Sequence, residues 1–480
     1  MGVALCWFHQ DLRLGDNPVL DAAIASGDVV IPVYILDDEA AGDWAMGGAS
    51  RWWLHHSLHD LSQALMRAGS RLTIQKGNAA AILKDLAAKT GARAIYTQLR
   101  GEPWSKAQLD EVKTALEGRC EVKLENSAYL TKPGDVLSKS GTRMKVFTPY
   151  KRNLLTQARE QGTMRGLCQR PEHIPAPEHF PESLEIDTLG LMPSSPDWSG
   201  GMAASWQIGE TAALQRLEDF LEETAQQYHI TRDKPSIVGT SRLSPHLHFG
   251  EISPVTIYHA VMERTAQNGA SEGMDVFLSE VIWREFSYEL LDQFPHMPDA
   301  PMKAEFGKFP WAEDYQDNLK TWQKGKTGYP LIDAGMRELY ETGWMHNQVR
   351  MITASFLTKH LLIPWQEGAK WFHDTLVDAD LASNSAGWQW VAGCGADASP
   401  YFRIFNPISQ GTKFDAGAYA RKWCPELREL DDKTLFAPFE LPEMLLAGAG
   451  VTLGKTYPKP LVDHKFARER ALEAFQHIKA

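Results

Sequence analysis

The sequence predicts an N-terminal doubly wound parallel α/β sheet domain, joined by a long linker to a C-terminal all-helical domain. Three observations predict it. Strand-like apolar runs alternate with helical periods over residues 1–130. Residues 131–205 are proline-rich and carry no sustained period. From Trp206 onward strand signals nearly vanish and helical periods take over, which makes 206–480 the helical domain. At 480 residues the chain exceeds one ordinary domain.

In order, residues 2–8 and 28–36 read as buried strands, and 71–76, 93–97 and 120–125 as further strand-like runs. Between them the clearest helix places Leu54, Leu58, Leu61 and Leu65 on one face. Such alternation implies a parallel sheet covered on both faces. The turn after the first strand, His9 to Asn17, lacks the GxGxxG that lets backbone amides approach a pyrophosphate. Gly325-Lys326-Thr327 resembles the end of a P-loop, but Lys320 stands where its first glycine belongs. In the linker, Pro171, Pro175, Pro177, Pro181, Pro193 and Pro196 mix with small and acidic residues. Beyond it, helices are expected at 209–227, 254–267, 275–291, 328–342, 344–361 and 366–376.

Composition narrows the function. No apolar run approaches the roughly 20 residues of a membrane span, and the N-terminus has neither a basic segment nor a cleavable apolar one. Cys6, Cys120, Cys168, Cys394 and Cys424 are scattered, odd in number and never spaced as CxxC. That pattern speaks for a reducing compartment, hence a cytoplasmic protein, and against a disulfide framework. No metal motif is read from the sequence. A net charge of −12 excludes a globally basic nucleic-acid binder, so any DNA contact must use locally concentrated cations. The 16 tryptophans are numerous, and most lie in the second part of the chain.

Four stretches combine polar and aromatic groups. Glu280 has Trp283 at i+3 and Arg284 at i+4, which is either a surface ion pair beside a core Trp or one pocket holding a carboxylate and a stacking ring. Trp344, Asn347 and Met351 share a helical stripe, where an Asn costs free energy unless hydrogen-bonded. Asp378, Asp380, Asn384, Trp388 and Trp390 crowd into thirteen residues. Gly239–Leu247 offers hydroxyls, a guanidinium and backbone amides suited to a diphosphate, although turns use the same residues. Together they read as a polar, aromatic-rich cofactor pocket.

These stretches, with the opening Trp7–Asn17 and the runs Gly325–Asp333, Gly343–Met351, Asp378–Trp390 and Pro400–Pro407, resemble the DNA photolyase/cryptochrome family over essentially the whole chain. His9 stands where that family usually has Arg. The likeness is closest to bacterial cyclobutane pyrimidine dimer photolyases of class I or III. It implies FAD, active when fully reduced, in the helical domain. Tyr228, Thr240, Ser241, Arg242, Leu243 and Ser244 would hold its phosphates and ribityl chain. Trp344, Asn347, Arg350, Asp378, Asp380 and Asn384 would surround its ring, with Arg350 and Asp378 as a buried ion pair. Asn384, Asn347 and Met351 match dimer photolyases rather than plant cryptochromes or (6-4) photolyases. Ultraviolet-damaged DNA is the implied partner of a monomer. Trp283, Trp390, Glu280, Arg284, Asn347 and Met351 would face a flipped-out pyrimidine dimer, and Arg232 and Arg403 the DNA. Trp388, Trp365 and Trp311 match the family's electron-relay tryptophans. An antenna chromophore, a folate or a deazaflavin, would sit in the N-terminal domain near Gly48–His56 or Gly101–Trp104. The competing reading is a cryptochrome-type blue-light signalling flavoprotein. Such proteins usually carry a C-terminal tail, and no low-complexity extension is seen here.

Overall fold

The computed structural model describes residues 2–478. A five-stranded parallel sheet, ordered β3-β2-β1-β4-β5, is built from β1 (Val3–Phe8), β2 (Val29–Leu36), β3 (Thr73–Lys76), β4 (Ala92–Gln98) and β5 (Glu121–Glu125). β1 pairs in register with β2, Val3 opposite Val29 and Phe8 opposite Tyr34. β1 and β2 are apolar along their whole length because helices cover both faces. These helices are α1 (Pro18–Ala25), α2 (Gly48–Arg67), α3 (Ala79–Thr90) and α4 (Pro103–Leu116). α1 starts where Asn17 accepts from the amides of Val19 and Leu20 and Pro18 presets the first turn. The strand order reverses between β1 and β4, and at such a point the carboxyl ends of the strands open a crevice.

The remainder is helical. The connector is less featureless than its prolines suggest, because α5 (Phe147–Glu160) lies within it. Its buried Phe147, Tyr150, Leu154 and Ala158 form one face, packed with the helix Glu272–Gln293. The helix expected over 344–361 begins at Asn347 and changes at Phe356–His360 to a π turn, where the amide of Leu361 reaches Phe356 O. Among the described residues no helix is long and apolar enough to cross a membrane.

The loop after β1 is a joint between the halves. Arg13, 2% exposed, donates to Gly250 O (2.8 Å), Asp16 O (2.8 Å) and Ser127 O (3.0 Å). Glu210 accepts from the amides of Leu14 and Gly15. This use of the backbone explains why no glycine-rich phosphate cradle is needed there.

Candidate functional site

The helical half contains a cavity of about 250 Å³ that adjoins one of about 200 Å³. Asn347, Arg350, Asp378 and Ser383 line both. All residues expected to hold the cofactor line the first cavity except Asn384, which lines the second.

One wall is the loop Gly239–Ser244 and the short helix Ser244–His248. Arg242 adopts φ 51°, a conformation non-glycine residues rarely hold. Its guanidinium lies between Trp206 and Trp344, 4.6 and 4.5 Å from the ring centroids. That sandwich fixes the cation and leaves its buried Nε without a partner. On the opposite wall Asp378 Oδ2 accepts from Ser244 Oγ (2.6 Å) and from Arg350 Nη2 (2.9 Å). Asp378 Oδ1 is buried and unpartnered. Buried acceptors without donors are rare in a finished structure, so the cavity is chemically incomplete. A ligand that donates to a carboxylate and accepts from guanidinium groups would complete it. FAD carries both, an imide N–H and a diphosphate, and therefore fits this donor set.

Asp380 caps the helix Leu381–Ala392, accepting from Ser383 N at 2.7 Å and from the Tyr288 hydroxyl. Burial alone would raise its pKa. His248, Arg284 and Tyr288 overcome that and hold it well below the usual carboxylate range, as a fixed anion at the cavity wall. Asn384 is oriented by donating Nδ2–H to Ala369 O at 2.9 Å.

Trp283, Glu280 and Arg232 lie together. Trp283 stacks on Phe147 of α5, 3.7 Å between centroids and 7° between planes. Glu280 does not pair with Arg284 one turn along; it binds Arg232. Arg284 instead donates to Ala128 O (2.9 Å) and Glu285 Oε1 (3.1 Å) and lines the first cavity, not the open groove. Met351, Trp390 and Arg403 meet in an adjoining groove with Lys413. Gln348, another groove residue, is held by Asp233 at 2.6 Å. Phe147 and Asp233 were not singled out from the sequence, while Phe405 lies in the run Pro400–Pro407.

Trp388 and Trp365 are buried and Trp311 half-buried in one apolar cluster. The Trp388 ring meets Phe372 (5.0 Å) and Trp322 (6.3 Å). A Cβ at Gly368 would come within 2.0 Å of Trp388, so glycine there lets the indole lie against the neighbouring helix. Gly325–Asp333, which holds the stretch resembling the end of a P-loop, closes a turn. Asp333 accepts from Thr327 N (2.6 Å), Thr327 Oγ1 (2.7 Å) and Gly328 N (3.0 Å), which leaves no phosphate cradle.

A further cavity sits at the switch point of the sheet, lined by His9, Gln10, Asp37, Trp44, Arg100 and Trp104 among others. Arg100 lies 4.5 Å over Trp104. Of the stretch Gly48–His56 only Leu54 reaches this cavity, while Trp52 and Trp53 are core residues.

Residues 4–178 match a family model described as DNA photolyase, and 277–477 one described as the FAD binding domain of DNA photolyase. A deoxyribodipyrimidine photo-lyase of Agrobacterium fabrum is 46% identical over 477 residues, covering 99% of this chain and 98% of the relative. Cryptochrome-2 of Arabidopsis thaliana is 36% identical over 99% of this chain and 79% of its own length. A solved bacterial class III photolyase from Agrobacterium tumefaciens superposes with a TM-score of 0.95 at 46% identity, covering 100% of this chain and 98% of that one.

Proposed function

From the premise that the chain belongs to the DNA photolyase/cryptochrome family, we propose that it is a deoxyribodipyrimidine photo-lyase that repairs cyclobutane pyrimidine dimers in DNA. The observation that carries this reading is the cavity with Asp378 Oδ1 and Arg242 Nε unpartnered and Glu280 in its lining, near a groove lined by Met351, Trp390 and Arg403. When bound, reduced and excited by blue light, FAD supplies the electron that splits the dimer.

The chain's own residues do the rest. Arg242 and the hydroxyls of Thr240, Ser241 and Ser244 bind the diphosphate side, with Tyr228 and Leu243 packed beside them. Arg350, Asp378, Asp380, Asn347, Asn384 and Trp344 hold the ring. A dimer is poorly paired and stacked, which lowers the cost of extruding it. Trp283, made rigid by Phe147, and Trp390 pack against the extruded bases. Asn347 and Met351 line the space between. Arg232, Arg403 and Lys413 provide local positive charge despite the net −12. Glu280 receives a base edge once DNA competes for Arg232. Glu280→Ala is expected to lower repair rate about tenfold, the worth of one hydrogen bond to a charged group, with flavin content unchanged; an unchanged rate removes this role.

Trp388, Trp365 and Trp311 relay electrons inward from the surface. Trp388→Phe is expected to slow photoreduction about tenfold or more, roughly 1.4 kcal/mol of barrier, while pre-reduced protein still repairs DNA. Equal photoreduction rates would refute the relay. The cavity at the sheet's switch point takes a light-gathering folate or deazaflavin, with His9, Arg100 and Trp104 as contacts. The chain acts as a monomer in the cytoplasm, organised as an antenna domain (1–130), a linker (131–205) and a catalytic domain (206–480).

A further inference from the structure

α2 and the connector meet at a cluster of ligand-type side chains outside all the cavities above. His55 and His59 are four residues apart on α2 and project from one face, their ring centroids 4.7 Å apart. Facing them is Asp187, from the short 3-10 turn Ile186–Leu189 of the connector. Asp187 Oδ1 lies 3.2 Å from His59 Nε2 and 3.7 Å from His55 Nε2. One ligand atom from each of the three lies within 4.8 Å of the others.

The chemistry suits a metal better than an ion pair. Asp187 is 78% exposed, and a surface carboxylate gains little from two imidazoles. A tetrahedral zinc site with bonds of about 2.0–2.2 Å sets its donors roughly 3.3 Å apart. The His59–Asp187 separation already meets that, and His55 Nε2 lies 3.7 Å from the same carboxylate oxygen. Exposure of Asp187 leaves an entry path and room for water in the fourth position. Two imidazoles and one carboxylate select a borderline divalent ion such as zinc over magnesium or calcium, which prefer oxygen donors.

We propose that His55, His59 and Asp187 form a zinc site that clasps the connector onto α2. Lys76 Nζ, 3.0 Å from Leu189 O, is a second tie at the same turn. The sequence reading found no metal motif because Asp187 lies 128 residues from His59. The site's consequence is structural, an added anchor for a turn that the buried Ile186 and Leu189 already seat on the core.

The test uses the full-length protein, stripped by a chelator and titrated calorimetrically with Zn²⁺ alone. One equivalent should bind per chain. His59→Ala and Asp187→Asn should each weaken binding about tenfold or more, since even groups supporting a ligand cost that much. Flavin absorbance should be the same in all three proteins, which excludes misfolding. Zinc should also slow protease cleavage within residues 183–196 of the parent and not of the variants. No saturable zinc binding, or binding that both substitutions leave unchanged, would overturn the proposal.

Discussion

Arg350→Ala is expected to weaken flavin binding about a hundredfold. Asp378, whose side chain is 3% exposed, would keep Ser244 Oγ and lose the only guanidinium on its Oδ2. Removing one partner of a buried pair costs about 3–5 kcal/mol, because the remaining charge stays desolvated; 3 kcal/mol exceeds two decades of affinity. Arg350 also donates Nε–H to Met345 O at 2.7 Å, so the substitution loosens the start of the helix Asn347–Ser355. Arg350→Lys keeps the charge without the fork and should fall between. The measurement is the ratio of flavin to protein absorbance after dialysis at graded FAD concentrations. Unchanged retention in Arg350→Ala would show that the pair is not part of the cofactor site.

Arg13→Ala is expected to be the most destabilising substitution, by about 3–5 kcal/mol. It would strip donors from Gly250 O, Asp16 O and Ser127 O at once and leave a void where the guanidinium lay. Each buried carbonyl left unsatisfied costs about 1–3 kcal/mol. Those carbonyls belong to three separate segments, so the loss uncouples the loop after β1 from the helical half. Urea unfolding checks this, with Arg428→Ala as the reference. Arg428 is 73% exposed and its loss should change stability by less than about 0.5 kcal/mol. A loss below about 1 kcal/mol for Arg13→Ala would mean that the joint is held elsewhere.

The sheet was legible because β1 and β2 are unbroken apolar runs, and the helices because their apolar residues recur every three or four positions. The cavity wall was legible because Thr240–Ser244, Asn347–Arg350 and Asp378–Asn384 are local clusters. What escaped was long-range. Glu280 reads naturally as a partner of Arg284, one turn away, yet Arg232 claims it from 48 positions off. The Phe147–Trp283 stack joins the connector to the catalytic half, and no local period announces such a partner. α5 also escaped, because the prolines downstream gave residues 131–205 the look of coil. At Gly325–Thr327 the missing first glycine at Lys320 already spoke against a phosphate loop, and the segment closes on its own Asp333.

The most direct test illuminates the reduced holoprotein with an oligonucleotide carrying a single thymine cyclobutane dimer and follows restored thymines by chromatography. Restoration under blue light and none in darkness is the predicted result. A flavin-loaded, reduced protein that leaves the dimer intact under illumination would contradict the account and favour a signalling flavoprotein.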